Sequence, residues 1–388
     1  MTMKNFILRI GLLVIVACLQ PLTTFAGDNN KQTRVLSQGA SIAAGVSHFC
    51  TVMLDRTVQC WGSNKYGQLG NGMSSVSSVP VTVLGLTDAV AVAAGGSHAC
   101  ALLANGTVQC WGNNRFGQLG DGTTTDSLAP VTVNGLTRAR AIASGPGHTC
   151  ALLTDGRIQC WGANHSGQLG NGTTKNSLIP VMVSSIANAV TVTALSTYTC
   201  AVLTNGTAKC WGVEHPLGDK TMIRSSVPVP ISGISKAVSL TPSGNRMCAV
   251  LADGRVKCRE AAISWGQSLT FTSLRPEIIS GLANVVSVAT GGCGYSCALL
   301  ADGRVQCWGT DTVRFDTSTM FKPSPLITIS GLTNTVAIAV GGARTCAVVA
   351  DGGVQCWDAT TKSTLAKTVN GLTKAVAVGS RTARRGAK

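Results

Sequence analysis

Aromatic residues make up only 4% of this 388-residue sequence and charged residues only 12%. So little charge excludes a coiled coil, and a hydrophobic fraction of 45% excludes a disordered chain. No G-x-x-x-x-G-K-[ST] phosphate loop, H-E-x-x-H pair or G-x-S-x-G elbow occurs, so three common routes to catalysis lack their residues. After the first residues, no apolar run is long enough to span a bilayer. Five histidines are present, and three of them (His48, His98 and His148) recur at one position of a repeat, two residues before a cysteine. Catalysis needs unlike groups converging, so that recurrence predicts a structural role, a hydrogen bond fixing the local turn.

What is abundant is glycine, at 45 residues, and cysteine, at 16. Glycine, valine, alanine and threonine in quantity suit β structure with tight turns. The N-terminus reads as an export signal over residues 1–26. Lys4 and Arg9 precede the apolar run from Ile10 to Leu19, and the small-residue exit Thr24-Phe25-Ala26 follows. A second exit is open: Ile15-Val16-Ala17-Cys18 resembles a lipoprotein box, which would leave a lipid on Cys18. Residues 27–35 read as a linker, and the expected localisation is periplasmic or extracellular, with a lipid-anchored envelope protein as the alternative.

An oxidising compartment makes the cysteines informative. Fourteen form pairs ten residues apart: Cys50 and Cys60, Cys100 and Cys110, Cys150 and Cys160, Cys200 and Cys210, Cys248 and Cys258, Cys297 and Cys307, Cys346 and Cys356. Cys293 is left over. In CALLANGTVQC, a three-residue turn Ala104-Asn105-Gly106 with a left-handed glycine closes a hairpin and sets Leu103 opposite Thr107. Stepping outward, Cys100 falls opposite Cys110 at a non-hydrogen-bonded site, where side chains lie closest. Each pair is therefore expected to form a bridge worth about 2–3 kcal/mol. Metal binding is disfavoured, because structural zinc prefers short Cys-x-x-Cys knuckles.

First cysteines follow one another at intervals of 48 to 50 residues, and each unit holds four short β-like runs. In the second unit these are residues 89–94, 100–103, 107–111 and 130–133. That period with four strands per unit indicates a propeller blade. Tryptophan follows the second cysteine at Trp61, Trp111, Trp161, Trp211, Trp308 and Trp357, as an apolar plug between neighbouring sheets would. The small-residue run before each hairpin suits a strand beside a crowded axis. Its copies extend from residues 40–45 to 375–380, so the ring is expected to close with strands from both termini. The fold class is all-β: a seven-bladed propeller of four-stranded blades over residues 36–380, expected as a monomer, with a basic tail at 381–388.

The pattern G-x-x-H-x-C-A-L-x-x-x-G-x-V-x-C-W-G-x-N-x-x-G-Q-L-G-x-G resembles the RCC1 (regulator of chromosome condensation) repeat. It is strong in units one to three and good in all seven hairpins. The resemblance implies a seven-bladed propeller and two kinds of function. The founding member is a nuclear nucleotide-exchange factor for the GTPase Ran and binds chromatin. Other relatives are secreted bacterial propellers, including an inhibitor of β-lactamases that binds protein on one face. None of the exchange residues can be matched here, and the export signal and paired cysteines place the chain nearer the second group. The expected function is a non-enzymatic, exported protein-binding module with no cofactor and no metal. The alternative is a guanyl-nucleotide exchange factor of the RCC1 type, delivered as an effector.

Units one to three carry near-identical loops after the hairpin (NKYGQLGNG, NNRFGQLGDG, NHSGQLGNG), expected to fix the blade edge. The later loops diverge and hold His215, Trp265, Phe271, Arg314, Phe315 and Phe321, whose aromatic and arginine character suits contacts with a protein partner. Net charge is +15, yet residues 359–388 hold seven basic residues and no acid. Without interleaved aromatics this tail reads as a solvated end, and nucleic acid is disfavoured as a partner.

Overall fold

The computed structural model describes residues 42–358 and 365–375, except for short segments at 196, 215–222, 244–245, 265–269, 274–275, 292–294, 310–324, 333, 342–343, 359–364 and 373–374. The chain divides into Met1–Leu36 and Ser37–Lys388, and every described residue belongs to the second unit. None of the described residues is in an α-helix, and no described helix is long and apolar enough to cross a membrane.

The local code runs the same way in each unit. In the second, Ala89–Ala94 is the innermost strand, followed outward by His98–Leu103, Val108–Gly112 and Ser127–Thr132, all antiparallel. The second strand begins two residues earlier than expected, because His98 still pairs with Gly112. The hairpin turn is the one expected: Gly106 has φ 80°, its N–H donates to the Leu103 carbonyl at 2.9 Å, and the Leu103 N–H donates to Thr107. The Asn105 side chain accepts the Thr107 N–H at 2.9 Å, which is why Asn or Asp recurs there. In the first unit Arg56 takes the glycine position at φ 65°.

With that register Cys100 faces Cys110, and all seven pairs are bridged with Cα atoms 4.0–4.1 Å apart. Such closeness marks the non-hydrogen-bonded pairs of an antiparallel ladder. Outermost strands carry prolines (Pro80, Pro130, Pro180, Pro228), which cannot donate to a further strand and so protect the exposed edge.

Seven such sheets form the ring: residues 42–82, 89–132, 139–182, 189–230, 237–278, 285–328 and 335–368. Innermost strands neighbour one another around the axis, and Thr335–Val340 packs against Ile42–Ala44 to close the circle. Both termini contribute to blade one. Ile42–Ala44 pairs with the second strand, and Ala375 pairs with Met53, just as Ala89 pairs with Leu103 in blade two. The core is a series of apolar clusters between successive blades, each holding a tryptophan from the later blade wherever that blade has one. Blade five has Arg259 at this position, also buried.

Candidate protein-interaction surface

A propeller's binding surface is whatever its seams and loops leave free. Between blades one and two the loop Asn64–Gly72 folds around the Asn64 side chain. Its Oδ1 accepts the Leu69 N–H at 2.9 Å, and its Nδ2 donates to the Met73 carbonyl at 2.9 Å. The loop drives Leu69 into the cluster of Cys50, Cys60, Val83 and Trp111, where it is fully buried. The Gln68 carbonyl accepts the Trp111 indole N–H at 3.0 Å. Gly70 has no side chain because a Cβ there would lie 2.8 Å from Trp111 Cδ1. The same plug recurs with Leu119 and Trp161, and with Leu169 and Trp211, with indole bonds of 2.9 Å to Gln118 and Gln168. Gly-Gln-Leu-Gly therefore does more than fix a blade edge: it bolts each blade to the next.

The histidines join the same joint, which corrects the expected local turn bond. His98 Nε2 lies 2.9 Å from Thr149 Oγ1 on the following blade, and the Thr149 hydroxyl donates to the Gln118 carbonyl. The threonine's proton is thus committed, so the imidazole Nε2–H is the donor. His148 repeats this with Thr199 and Gln168. At the repeat position of Thr149 the following blade has Ala99, which offers His48 no hydroxyl. Burial pushes the pKa of His48 down to about 4. It pushes His98 and His148 down to about 3, with smaller contributions from His48 and His148 on His98, and from His165 on His148. These three rings are neutral joints.

At the closing seam, between blades seven and one, no Gly-Gln-Leu-Gly sequence follows Trp357. There the structure has a cavity of about 510 Å3, lined among others by Trp61, Cys356, Trp357, Arg344 and Lys367. Cys356 is half-buried, unlike the second cysteine of every other bridge. No acceptor among the described residues meets the Trp61 indole N–H; its ring stacks on Phe49 at 5.7 Å instead.

The family described as "Regulator of chromosome condensation (RCC1) repeat" matches residues 57–102, 105–152 and 155–202, and a second form of the same repeat matches 40–68, 89–118 and 139–168. Residues 40–202 carry RCC1 repeats, and the ring is a seven-bladed β-propeller. No curated protein matches the sequence. Among solved structures, the RCC1 propeller Prp20p from Saccharomyces cerevisiae is similar, with TM-score 0.66 and 19% identity over 88% of this chain and 89% of that one. Yeast RCC1 (Prp20) bound to Kap60 gives 0.64 and 17%, covering 88% and 85%. Human WBSCR16 gives 0.64 and 21%, covering 84% and 92%. At these identities the likeness is one of fold.

Of the expected contact residues, His215, Trp265, Arg314, Phe315 and Phe321 lie outside the described residues, as do Cys18 and Cys293. Phe271 lies on the strand Thr270–Ser273, opposite Ile263. The feature that sequence reasoning missed is the cavity between blades seven and one. DATTKSTLAKT, the loop after Trp357, lacks the Gly-Gln-Leu-Gly sequence. Among the described residues no three His, Cys, Asp or Glu side chains gather as a metal site would need.

Proposed function

We propose that this RCC1-repeat propeller is an exported, non-enzymatic protein-binding module that acts extracellularly or in the periplasm by inhibition or adhesion. One observation carries this reading. In units one to three the loop after the hairpin is consumed in bolting blades together, whereas units four to seven lack the plug sequence. The loops without the plug sequence hold His215, Trp265, Phe271, Arg314, Phe315 and Phe321, whose aromatic and arginine character suits contact with a protein. Seven disulfides suit an oxidising, exported environment and give the loops a stiff base. Residues 1–26 are the signal that would deliver the chain there.

The test is affinity capture from culture medium and cell envelope with the oxidised protein. The reading expects a protein partner whose retention falls at least tenfold with Trp265→Ala or Phe315→Ala. Retention untouched by either substitution would remove these loops from the surface.

A second reading is nucleotide exchange on a small GTPase. It draws on the fold shared with Prp20p, a protein described by its binding to Gsp1p and histones. Acceleration of nucleotide release from a GTPase by the reduced protein would favour it over the first.

A further inference from the structure

Asn-Gly occurs six times in this chain, at 71–72, 105–106, 134–135, 171–172, 205–206 and 370–371. The side-chain amide of such an asparagine is open to attack by the next backbone nitrogen, because glycine carries no side chain to obstruct it. That nitrogen must first give up its proton, so a hydrogen bond from its N–H protects the amide. The fold supplies this protection at four of the pairs. Gly106 and Gly206 donate to the Leu103 and Leu203 carbonyls of their own hairpins, each at 2.9 Å. Gly72 donates to the Leu128 carbonyl at 2.9 Å and Gly172 to that of Ser226 at 2.8 Å, in each case on the following blade. The asparagine side chains of these pairs are also engaged. Asn105 and Asn205 accept the hydroxyls of Thr107 and Thr207 at 2.7 Å, Asn171 accepts that of Thr173 at 2.9 Å, and Asn71 accepts from Asn64 at 3.2 Å. Asn134-Gly135 differs. Both residues are exposed, no acceptor among the described residues meets the Gly135 N–H, and a Cβ at Gly135 would meet nothing within 4 Å. The sixth pair, Asn370-Gly371, borders residues 373–374, which lie outside the described residues.

We propose that Asn134 is a site of spontaneous deamidation, and that its conversion releases a clasp on the seam between blades two and three. The Gly135 nitrogen attacks Cγ of Asn134. An N–Cγ bond forms, the Cγ–Nδ2 bond breaks, and the amide nitrogen leaves as ammonia with the proton that Gly135 gave up. Water then opens the five-membered imide, at Cγ to give aspartate or at the main-chain carbonyl to give an isoaspartyl link. Asn134 stands where either product matters. Its Nδ2 donates to the Asp121 carbonyl at 2.8 Å, and its N–H donates to the Gly120 carbonyl at 2.9 Å. Both acceptors belong to the loop that seats Leu119 against Trp161. A carboxylate has only acceptor oxygens, so after conversion an acceptor faces the Asp121 carbonyl and the side-chain bond is lost. The isoaspartyl link also adds a methylene to the main chain within the clasp. Blades one and three have Leu84 and Ser184 at this place, neither of them an amide, so the convertible clasp belongs to blade two. This assignment is independent of what the propeller binds.

The test incubates the oxidised full chain at mildly alkaline pH in heavy-oxygen water and follows each Asn-Gly peptide by mass spectrometry after digestion in ordinary water. The heavy label marks only carboxyls formed during the incubation. Conversion at Asn134 is expected to run about tenfold faster than at Asn71, Asn105, Asn171 or Asn205, the factor that breaking one backbone hydrogen bond imposes. In the reduced, denatured chain the five rates should draw together. Equal rates in the folded chain would overturn the assignment. So would a lead for Asn134 that persists in the denatured chain, since flanking sequence rather than fold would then be its cause. The clasp is read separately, by comparing Asn134→Asp, the product residue, with Asn134→Ser, which copies blade three. Asn134→Asp is expected to have the lower thermal midpoint, below that of the parent protein as well. A midpoint equal to either would refute the release of the seam.

Discussion

The indole N–H of Trp111 donates to the backbone carbonyl of Gln68, 43 residues earlier and one blade away, at 3.0 Å. Because that acceptor is main chain, no side-chain substitution at Gln68 removes it. What positions it is the tight turn that also seats Leu69. Blade cohesion in the first half of the ring therefore depends on loop shape as much as on apolar area.

Shortening the plug should loosen one seam. Leu119 is fully buried against Trp161, so Leu119→Ala leaves a cavity and should cost about 2–5 kcal/mol. Gly120→Ala would meet the Trp161 ring at 2.8 Å from φ 72°, and a loss of similar size is expected. Denaturant unfolding of each variant checks both, and an unchanged midpoint would show that the seam is not a site of cohesion.

Arg56 holds a left-handed conformation that glycine occupies in the other six hairpins. Arg56→Gly should relieve about 1 kcal/mol of backbone strain. The ion pair it forfeits, with Asp88 at 3.6 Å, is exposed and contributes little. A higher thermal midpoint is the expected result, and a lower one would assign the side chain a structural part.

The buried histidines set a pH dependence whose sign is definite. Their folded-state pKa values, about 4 for His48 and about 3 for His98 and His148, lie below the unfolded value of 6.5. The unfolded chain thus binds more protons below pH 6.5, so stability is complete above that value and falls as the pH drops towards 3–4. Each ring contributes a slope of about 1.4 kcal/mol per pH unit in that window. Unfolding free energies measured from pH 7.5 to 4.5 should show the decline, and His98→Asn should flatten it. A flat profile in the parent protein would show that these rings are not buried neutral.

The bridge between Cys346 and Cys356 lines the cavity between blades seven and one, and Cys356 is half-buried where the second cysteine of each other bridge is buried. Thiol exchange requires access, so mild reductant followed by alkylation should label this pair first. Replacing both cysteines by serine should cost about 2–3 kcal/mol. Uniform labelling of all seven pairs would indicate that the closing seam is covered.

The hairpins are legible in the sequence because their information is local. A glycine at the third turn position and a ten-residue gap determine which residues face each other, and period-two alternation carries that outward to the cysteines. The blade count follows from repetition, and the tryptophans from their constant place beside the second cysteine. The histidines differ from expectation because their partners, Thr149 and Thr199, lie 51 residues away and become neighbours only when the ring forms. The cavity at the closing seam is hidden for a related reason. A missing Gly-Gln-Leu-Gly after Trp357 carries no meaning until the other seams reveal what that sequence does. The contact residues suggested by aromatic and arginine content fall on loops with no repeat to constrain them, where sequence supplies character but no geometry.

Peptide mass mapping of the unreduced protein addresses the central claim, that the ring is a stack of individually stapled hairpins suited to an oxidising compartment. Seven linkages, each spanning ten residues from Cys50–Cys60 to Cys346–Cys356, are the expected result. Free thiols at these positions, or linkages joining different hairpins, would contradict it.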